Sequence, residues 1–442
     1  MQNIDYVLDF ATHLGKEMLA CGANIERVNL TIELICKTYG LAEISINVMS
    51  TVITVCAKNP EGEDRISQVS VPPAHIHLTK LRRLNNLSYR VRREKPDLHD
   101  LKGLLEEALV AKTYPMPVVL GGYLLAMASL CRIFNGKWQD VLVVLLNTVL
   151  LFFLSNLWSK ANLNRMITNT ANMFLCGGSA FAFLYLGFAQ NFYSIVITNA
   201  FFLIPGIPMV NGMRNILCGN EMNGILELIK VVLEVVTIVA GLWLAFVAFG
   251  NWYDQSFGEA ITGSGDTLWE LELVGLSFLA SVGFGIVFQI SPLDLLFAGM
   301  GGALIRIVYL ALMATTNYRI LYTAVAAFSA ALYAEVLAFY KKAPATIFLY
   351  PSIIPLIPGD LFYYAMVGVV ANDNKLFADN AFECLLALVG ISVGFVLCSS
   401  FVHYTRKIKL RKLFPLPLPL PKFKKEKEAP APEQEEAEEK SE

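Results

Sequence analysis

The residues best placed to do chemistry sit beside two clusters of proline and glycine in otherwise apolar sequence. The first runs from Asn199 to Asn223, NAFFLIPGIPMVNGMRNILCGNEMN; the second runs from Leu349 to Val370, LYPSIIPLIPGDLFYYAMVGVV. Pro205 and Pro208 carry no backbone N–H, so a helix through them leaves the carbonyls of Phe201 and Ile204 without their usual donors. Pro351, Pro355 and Pro358-Gly359 do the same in the second stretch and free the carbonyl of Ile354, among others. An unpaired carbonyl costs several kcal/mol in hydrocarbon, so such breaks persist only inside protein or beside a watery cavity. After each break a new half-helix begins. Its first N–H groups, at Gly206 to Val210 and Gly359 to Phe362, offer a positive dipole end to an anion. Freed carbonyls can accept from a cation. A zwitterionic amino acid satisfies both halves of that chemistry, and a dicarboxylate satisfies one.

Side chains add to this. Asn211 and Arg214 follow the first break, and Asp360 follows the second directly. A carboxylate there can carry a proton between the two sides of a membrane. It can equally cap the half-helix that it begins, and the sequence leaves both roles open. Arg306 lies about 18 Å along a helix from Asp294 at 1.5 Å per residue, too deep to snorkel, and so marks a pathway or a buried pair. The candidate substrate-binding set is therefore Pro205, Gly206, Pro208, Asn211, Arg214, Arg306, Pro358, Gly359 and Asp360, with Asp360 the proton-coupling candidate. Lys230 between Glu227 and Glu234 reads as a self-compensating patch, and Glu335 as interfacial. Asn169, Thr170 and Asn172 read as interhelical hydrogen-bonding groups that could instead line a cavity. No nucleophile–base pair or metal cluster is visible, so neither an enzyme, a metal nor a cofactor is expected.

The elements that must position these residues follow from composition. Of 442 residues, 55% are hydrophobic and 16% charged, with mean hydropathy +0.52 and formal net charge −2. That is the profile of an α-helical polytopic membrane protein. About ten apolar stretches approach the ~20 residues needed to cross hydrocarbon: approximately 115–134, 139–157, 168–189, 192–217, 223–249, 268–290, 293–313, 319–340, 345–371 and 379–402. They fall five and five around an acidic connection, residues 251–267. The Pro-Gly pair sits in the fourth span of each half. Five spans per half put the halves in opposite orientation, so the expected plan is an inverted repeat with the site between the two breaks. Lys160, Arg165, Arg214, Lys341, Lys342 and the basic residues from Arg406 fall on alternate connections. By the positive-inside rule both termini are expected in the cytoplasm of a cell whose inner membrane holds the chain. Arg132, Lys137, Arg319 and Lys375 run against that rule.

Residues 1–112 read as a small α+β cytoplasmic domain. Helices are expected at Asp5 to Ala20 and from Asn24 to Tyr39, and strands at 44–48, 51–57 and 65–71. Two polar helices at 76–93 and 98–112 follow. The basic run Lys80, Arg82, Arg83, Arg90, Arg92, Arg93 reads as juxtamembrane, not as a nucleic-acid surface. His75 and His77 receive no role. The first membrane repeat is expected at 113–250, the second at 268–404, and a disordered basic then acidic tail at 405–442.

Four motifs, CGANIERVN, INVMSTVITV, IPGIPMVNGMRNILCGN and PLIPGDLFYYAM, resemble the threonine/serine exporter family, and the resemblance covers about residues 1–405. It implies export of threonine and serine driven by the proton gradient. In some members the halves are separate proteins, a few of them linked to succinate. One departure is Asn215, where the family commonly has an Asp; if that acid carries coupling in other members, either Asp360 does so here or coupling differs. The expected partners are a small amino acid, protons and the lipid bilayer, with homo-oligomerisation open. The rival readings are a dicarboxylate exporter and a membrane-anchored regulatory protein.

Overall fold

A computed structural model of the chain describes residues 2–58, 64–72, 75–111, 113–161, 163–250, 267–370 and 372–407. Most of the acidic connection and nearly all of the tail lie outside the described residues.

The N-terminal region opens with α1 (Gln2–Ala20) and α2 (Ile25–Thr38). Asn24 ends the intervening turn and caps α2 by accepting from the Arg27 N–H at 3.2 Å. Three strands follow, β1 (Ala42–Val48), β2 (Val52–Lys58) and β3 (Asp64–Ser70). They form an antiparallel meander in which Ile46 faces Val55 and Val55 faces Ser67. Alternation along β2 buries Ile53, Val55 and Ala57 on the face covered by the helices. Each such aliphatic side chain larger than alanine contributes about 1.5–3 kcal/mol on burial. Then come α3 (Leu78–Glu94), with Leu78, Leu81, Leu84 and Val91 on its buried stripe, and α4 (Asp100–Leu109). His77 turns out to cap α3, its Nδ1 accepting from the Lys80 N–H at 3.2 Å.

The rest of the described chain is helical: α5 (Met116–Ile133), α6 (Trp138–Lys160), α7 (Arg165–Tyr185), α8 (Phe192–Leu203), α9 (Gly206–Leu217), α10 (Glu221–Phe249), α11 (Thr267–Val287), α12 (Pro292–Met313), α13 (Arg319–Lys341), α14 (Thr346–Ile353), a single 3-10 turn at Ile354–Leu356, α15 (Gly359–Val370) and α16 (Asn374–Lys407). Seven of these helices are long and apolar enough to span a membrane. The bent pairs α8–α9 and α14–α15 raise the number to nine among the described residues. The chain is a multi-pass membrane protein. The stretch expected at 168–189 is realised as α7, of 21 residues, which is long enough but carries Thr168, Asn169 and Asn172 on its buried face.

Helix packing repeats. α10 lies along α7 and α16 along α13; α9 lies against α10 and α15 against α16. α5 crosses α11. The final helices reach across: α16 touches α9 and α10 touches α15. Close approach at two of these crossings needs glycine. A Cβ on Gly241 of α10 would strike the Thr170 carbonyl of α7, and one on Gly394 of α16 the Ala324 carbonyl of α13. Gly241 follows Gly206 at the same sequence distance as Gly394 follows Gly359.

The N-terminal region seats on one end of this helical array. Asn223, at the start of α10, accepts from the Ser50 N–H and donates to the Val48 carbonyl, each at 3.0 Å. Leu78 and Thr79 donate their N–H groups to Phe288 and Gln289. Arg82 pairs with the buried Asp294 at 2.7 Å and donates to the Lys341 carbonyl at 2.9 Å. Much of the basic run on α3 is thus committed within the protein: Lys80 to Glu17, Arg82 to Asp294, Arg90 and Arg93 to Glu94.

Candidate functional site

The two breaks have the same backbone geometry. At the first, Ile204 is extended (φ −68°, ψ 127°) and Pro205 has φ −78°, ψ 70°. The Gly206 N–H donates to the Ile204 carbonyl at 2.9 Å, closing an inverse γ-turn centred on Pro205. At the second, Ile357 is extended in the same way (φ −63°, ψ 127°), and the Gly359 N–H donates to the Ile357 carbonyl at 2.8 Å. Each following half-helix opens with its proline's carbonyl, which accepts from Met209 at 3.1 Å in one case and from Phe362 at 3.2 Å in the other. The chain bends by 63° at the first break and 47° at the second.

The breaks adjoin each other. A Cβ on Gly206 would lie 3.0 Å from Ile357 Cδ1, and one on Gly359 would lie 2.5 Å from Phe201 Cδ2. Each glycine therefore takes the other half's side chain against its bare backbone. Pro205, Gly206, Pro358, Gly359 and Asp360 are brought together at this junction.

The backbone groups are less open than proline chemistry alone suggests. The Ile204 carbonyl is taken by Gly206 and the Ile354 carbonyl by Ile357 at 3.1 Å, so neither is free. All three have a proline at the helical donor position, and among the described residues only the Phe201 carbonyl is left without another donor. The Gly206 and Gly359 N–H groups are consumed by the same γ-turns. In α9 the next N–H is that of Ile207, which has no acceptor four residues back within the half-helix. In α15 Asp360 stands in the first turn, with its carboxylate at the positive end of the half-helix. That position suits both roles that the sequence left open for it, a cap and a proton carrier.

Arg306 joins the second break directly. Its Nη2 donates to the Pro355 carbonyl at 3.1 Å, and its Nε donates to Ser277 Oγ of α11 at 3.0 Å. Gly359 would have been the donor to Pro355 in an unbroken helix, so the arginine replaces what the break removes. Its guanidinium lies 5.6 Å from the Tyr309 ring centroid and within electrostatic reach of Asp360. Asp360 also senses Arg319, which is itself paired with Glu383.

Three candidates sit away from the junction. Pro208 is exposed on α9. Asn211 donates to the Tyr350 hydroxyl of α14 at 3.2 Å, and Arg214 pairs with Glu26 of α2 at 3.6 Å. These last two tie the end of α9 to the second broken helix and to the N-terminal region.

Other groups near the breaks carry no proline or charge to flag them. Asn199, in the last turns of α8, is 1% exposed, and both its amide oxygen and its amide nitrogen lack a partner. The hydroxyls of Tyr363 and Tyr364 on α15 are likewise buried and unpartnered, with Tyr193 of α8 close to both. The one available signal was an asparagine inside the apolar run SIVITNAFF. Asp140, by contrast, is fully satisfied: its carboxylate accepts from the N–H groups of Lys137, Gln190 and Asn191 and joins two loops. All eight cysteines are free thiols, and among the described residues no group of three or more His, Cys, Asp or Glu could hold a metal. Outside the membrane helices, burial pushes the thiol of Cys21 up to about 11 and that of Cys36 up to about 12, so both are inert packing groups.

The profile of a family described as "Putative threonine/serine exporter" matches residues 9–249, and a second, "Threonine/Serine exporter, ThrE", matches residues 273–401. The chain is 22% identical over 383 residues to a protein of Mycobacterium tuberculosis (strain ATCC 25618 / H37Rv) named "Probable threonine/serine exporter"; the match covers 83% of this chain and 71% of that one. No solved structure matches. The two profiles divide the chain between the two broken helices, and the chain belongs to the threonine/serine exporter family.

Proposed function

We propose that this protein is a proton-coupled secondary exporter of threonine and serine in the cytoplasmic membrane, with the substrate held between the two breaks. The observation that carries the reading is the junction itself: Gly206 against Ile357 and Gly359 against Phe201. Two interrupted helices that merely relieved packing strain would have no reason to meet.

The fold is read as two five-helix units, 113–250 and 268–404, in inverted orientation. Support comes from the matching γ-turns, the equal spacing of Gly206–Gly241 and Gly359–Gly394, and the exchange of final helices between units. Residues 1–112 form the cytoplasmic domain in this reading, and both termini lie on that side.

A coupling step follows from Asp360. Ionised, its carboxylate attracts the ammonium of an amino acid at the start of α15. Protonated, it carries no charge and releases that ammonium. Proton and amino acid therefore load in turn and not together, so the amino acid leaves as the proton enters. The Phe201 carbonyl, across the junction, accepts from the ammonium. Asn199 and the Tyr363 hydroxyl are the groups available to a substrate hydroxyl.

The test is efflux from vesicles containing the purified protein, comparing labelled threonine, serine and succinate under an imposed pH gradient. Threonine and serine efflux that rises with the gradient is expected. Succinate efflux alone, or threonine efflux indifferent to the gradient, would overturn the substrate or the coupling respectively.

A further inference from the structure

We infer that an acidic phospholipid headgroup binds between α3 and the start of α12, on the side of the membrane where the N-terminal region lies. This goes beyond the exporter reading and stands without it. The binding place is a cavity of about 170 Å³ whose polar wall includes Arg82, Arg83 and Asn86 of α3 with Ser291 and Asp294 at the start of α12. Its inner wall is apolar, made by the buried Leu78, Ile290 and Ile347. At roughly 10–15 Å³ per water-sized group, the volume takes a phosphate together with part of its glycerol.

The charge around the cavity favours an anion. Among the described residues Asp294 is the one carboxylate on the wall, and it already faces two cations, Arg82 at 2.7 Å and Lys341 at 3.6 Å. Arg83 adds a third, so three cations stand against one carboxylate. The Arg83 guanidinium donates to the Val110 carbonyl, and among the described residues no carboxylate pairs with it. One donor is used there; the rest of the planar fork is open to phosphate oxygens. Asn86 is exposed beside it and presents an amide donor. On the α12 side, Pro292 has no N–H, and the Leu293 N–H has no acceptor four residues back within its helix.

Position separates a lipid from a soluble anion. α12 leaves the cavity as an apolar span of 22 residues. Leu293 is 81% exposed on its first turn, and Leu296, Met300 and Ile307 continue an exposed stripe below it. Val110, whose carbonyl holds Arg83, is itself 75% exposed, and Met116 at the start of α5 is exposed too. The Tyr114 hydroxyl donates to the Ile290 carbonyl at 2.7 Å, the placement of an aromatic anchor at a membrane–water boundary. A headgroup in the cavity lays its acyl chains over this apolar surface, whereas a soluble phosphate leaves it bare. The lipid also has a job there. Leu78 and Thr79 line the cavity and donate their N–H groups to Phe288 and Gln289. A headgroup that touches α3 and α12 at once fastens the N-terminal region to the helical array.

The experiment is hydrogen–deuterium exchange on the full chain in nanodiscs of phosphatidylcholine, with and without phosphatidylglycerol as the acidic lipid. Phosphatidylglycerol is expected to slow exchange of the Leu78 and Thr79 amides about fivefold, the effect of one cation engaging an acidic membrane at about 1 kcal/mol. Arg83→Gln and Asn86→Ala each change an exposed side chain, so both fold, and each is expected to remove most of that slowing. Arg90→Gln deletes the same charge about two turns further along α3, where Glu94 pairs with it, and is expected to keep the slowing. Equal slowing in the unaltered protein and in Arg83→Gln overturns the site. Equal loss from Arg83→Gln and Arg90→Gln overturns it as well, because diffuse attraction to an acidic surface then suffices. Slowing by inorganic phosphate in pure phosphatidylcholine at matched ionic strength assigns the cavity to a soluble anion and overturns the lipid. None of these results bears on export, which the efflux measurement decides.

Discussion

Asp360 places an ionisable group in the first turn of a half-helix, and that combination makes it informative. Asparagine also suits a helix start, but it cannot carry a proton. Asp360→Asn is therefore expected to keep the fold while abolishing the response of threonine efflux to a pH gradient; threonine–threonine exchange without a gradient persists. Gradient-driven efflux at the original rate in that variant would remove Asp360 from coupling. The proline–glycine pairs and Asp360 were legible from their types, because proline deletes a donor wherever it stands and Asp after a helix break has few uses. Arg306 was legible as a deep charge, but its partner, the Pro355 carbonyl, was not, since nothing local links residues 49 apart in sequence. Asn199 escaped notice because its significance lies in what fails to surround it. Arg214 was read as a site residue from its closeness to the first break in sequence, yet the rise of α9 carries it two turns away to Glu26.

At the level of helices, the junction depends on bare backbone on both sides. Gly359→Ala places a methyl 2.5 Å from Phe201 Cδ2 and forces the breaks apart at an overpacking cost of about 1–3 kcal/mol. Efflux is expected to fall at least tenfold with the protein still folded by size exclusion and thermal melt. Phe201→Leu in the same background is expected to recover much of the loss, a coupling that independent sites would not show. Failure of the double variant to improve on Gly359→Ala would place the defect elsewhere. Helix periods and hydrophobic length gave the spans their approximate bounds, and alternation gave the three strands. The γ-turns were not legible, because proline announces a lost bond without saying which carbonyl will find another donor. Gly206 and Gly359 found them two residues back, which is why fewer dipole ends are open than the two breaks suggested.

At the scale of the molecule, the seating of the N-terminal region on the helical array turns on Asp294, 2% exposed and held by Arg82 and Lys341. Asp294→Asn is expected to lower stability by about 2 kcal/mol, less than the roughly 3–5 of a pair with both charges buried, because Arg82 and Lys341 keep contact with water. Faster proteolysis between 95 and 115, with intact helices by circular dichroism, is the expected signature. The same seam is pH-dependent. Burial holds His77, the cap of α3, below its ordinary 6.5. The undocked form then binds more protons, so docking is strongest above pH 6.5 and weakens as pH falls below it. His77→Asn keeps an acceptor for the Lys80 N–H and is expected to flatten that dependence, read as exchange of the Leu78 amide against pH; an unchanged profile would locate the titrating group elsewhere.

The seam also sets an order on biogenesis. The N-terminal region leaves the ribosome first, but the partners that fasten it come much later: Asn223 is 173 residues beyond Ser50, Asp294 is 212 beyond Arg82, and Lys341 is 259 beyond it. Contacts so distant in sequence close late. The early-made portion must therefore wait, folded but unfastened, while the translocon threads nearly all of the helices, and it locks down only when residues from both profile-matched halves have arrived. A chain truncated or mis-threaded before α13 would leave Arg82 without its full set of partners and α3 loose, a form that cellular proteases could tell from the finished protein.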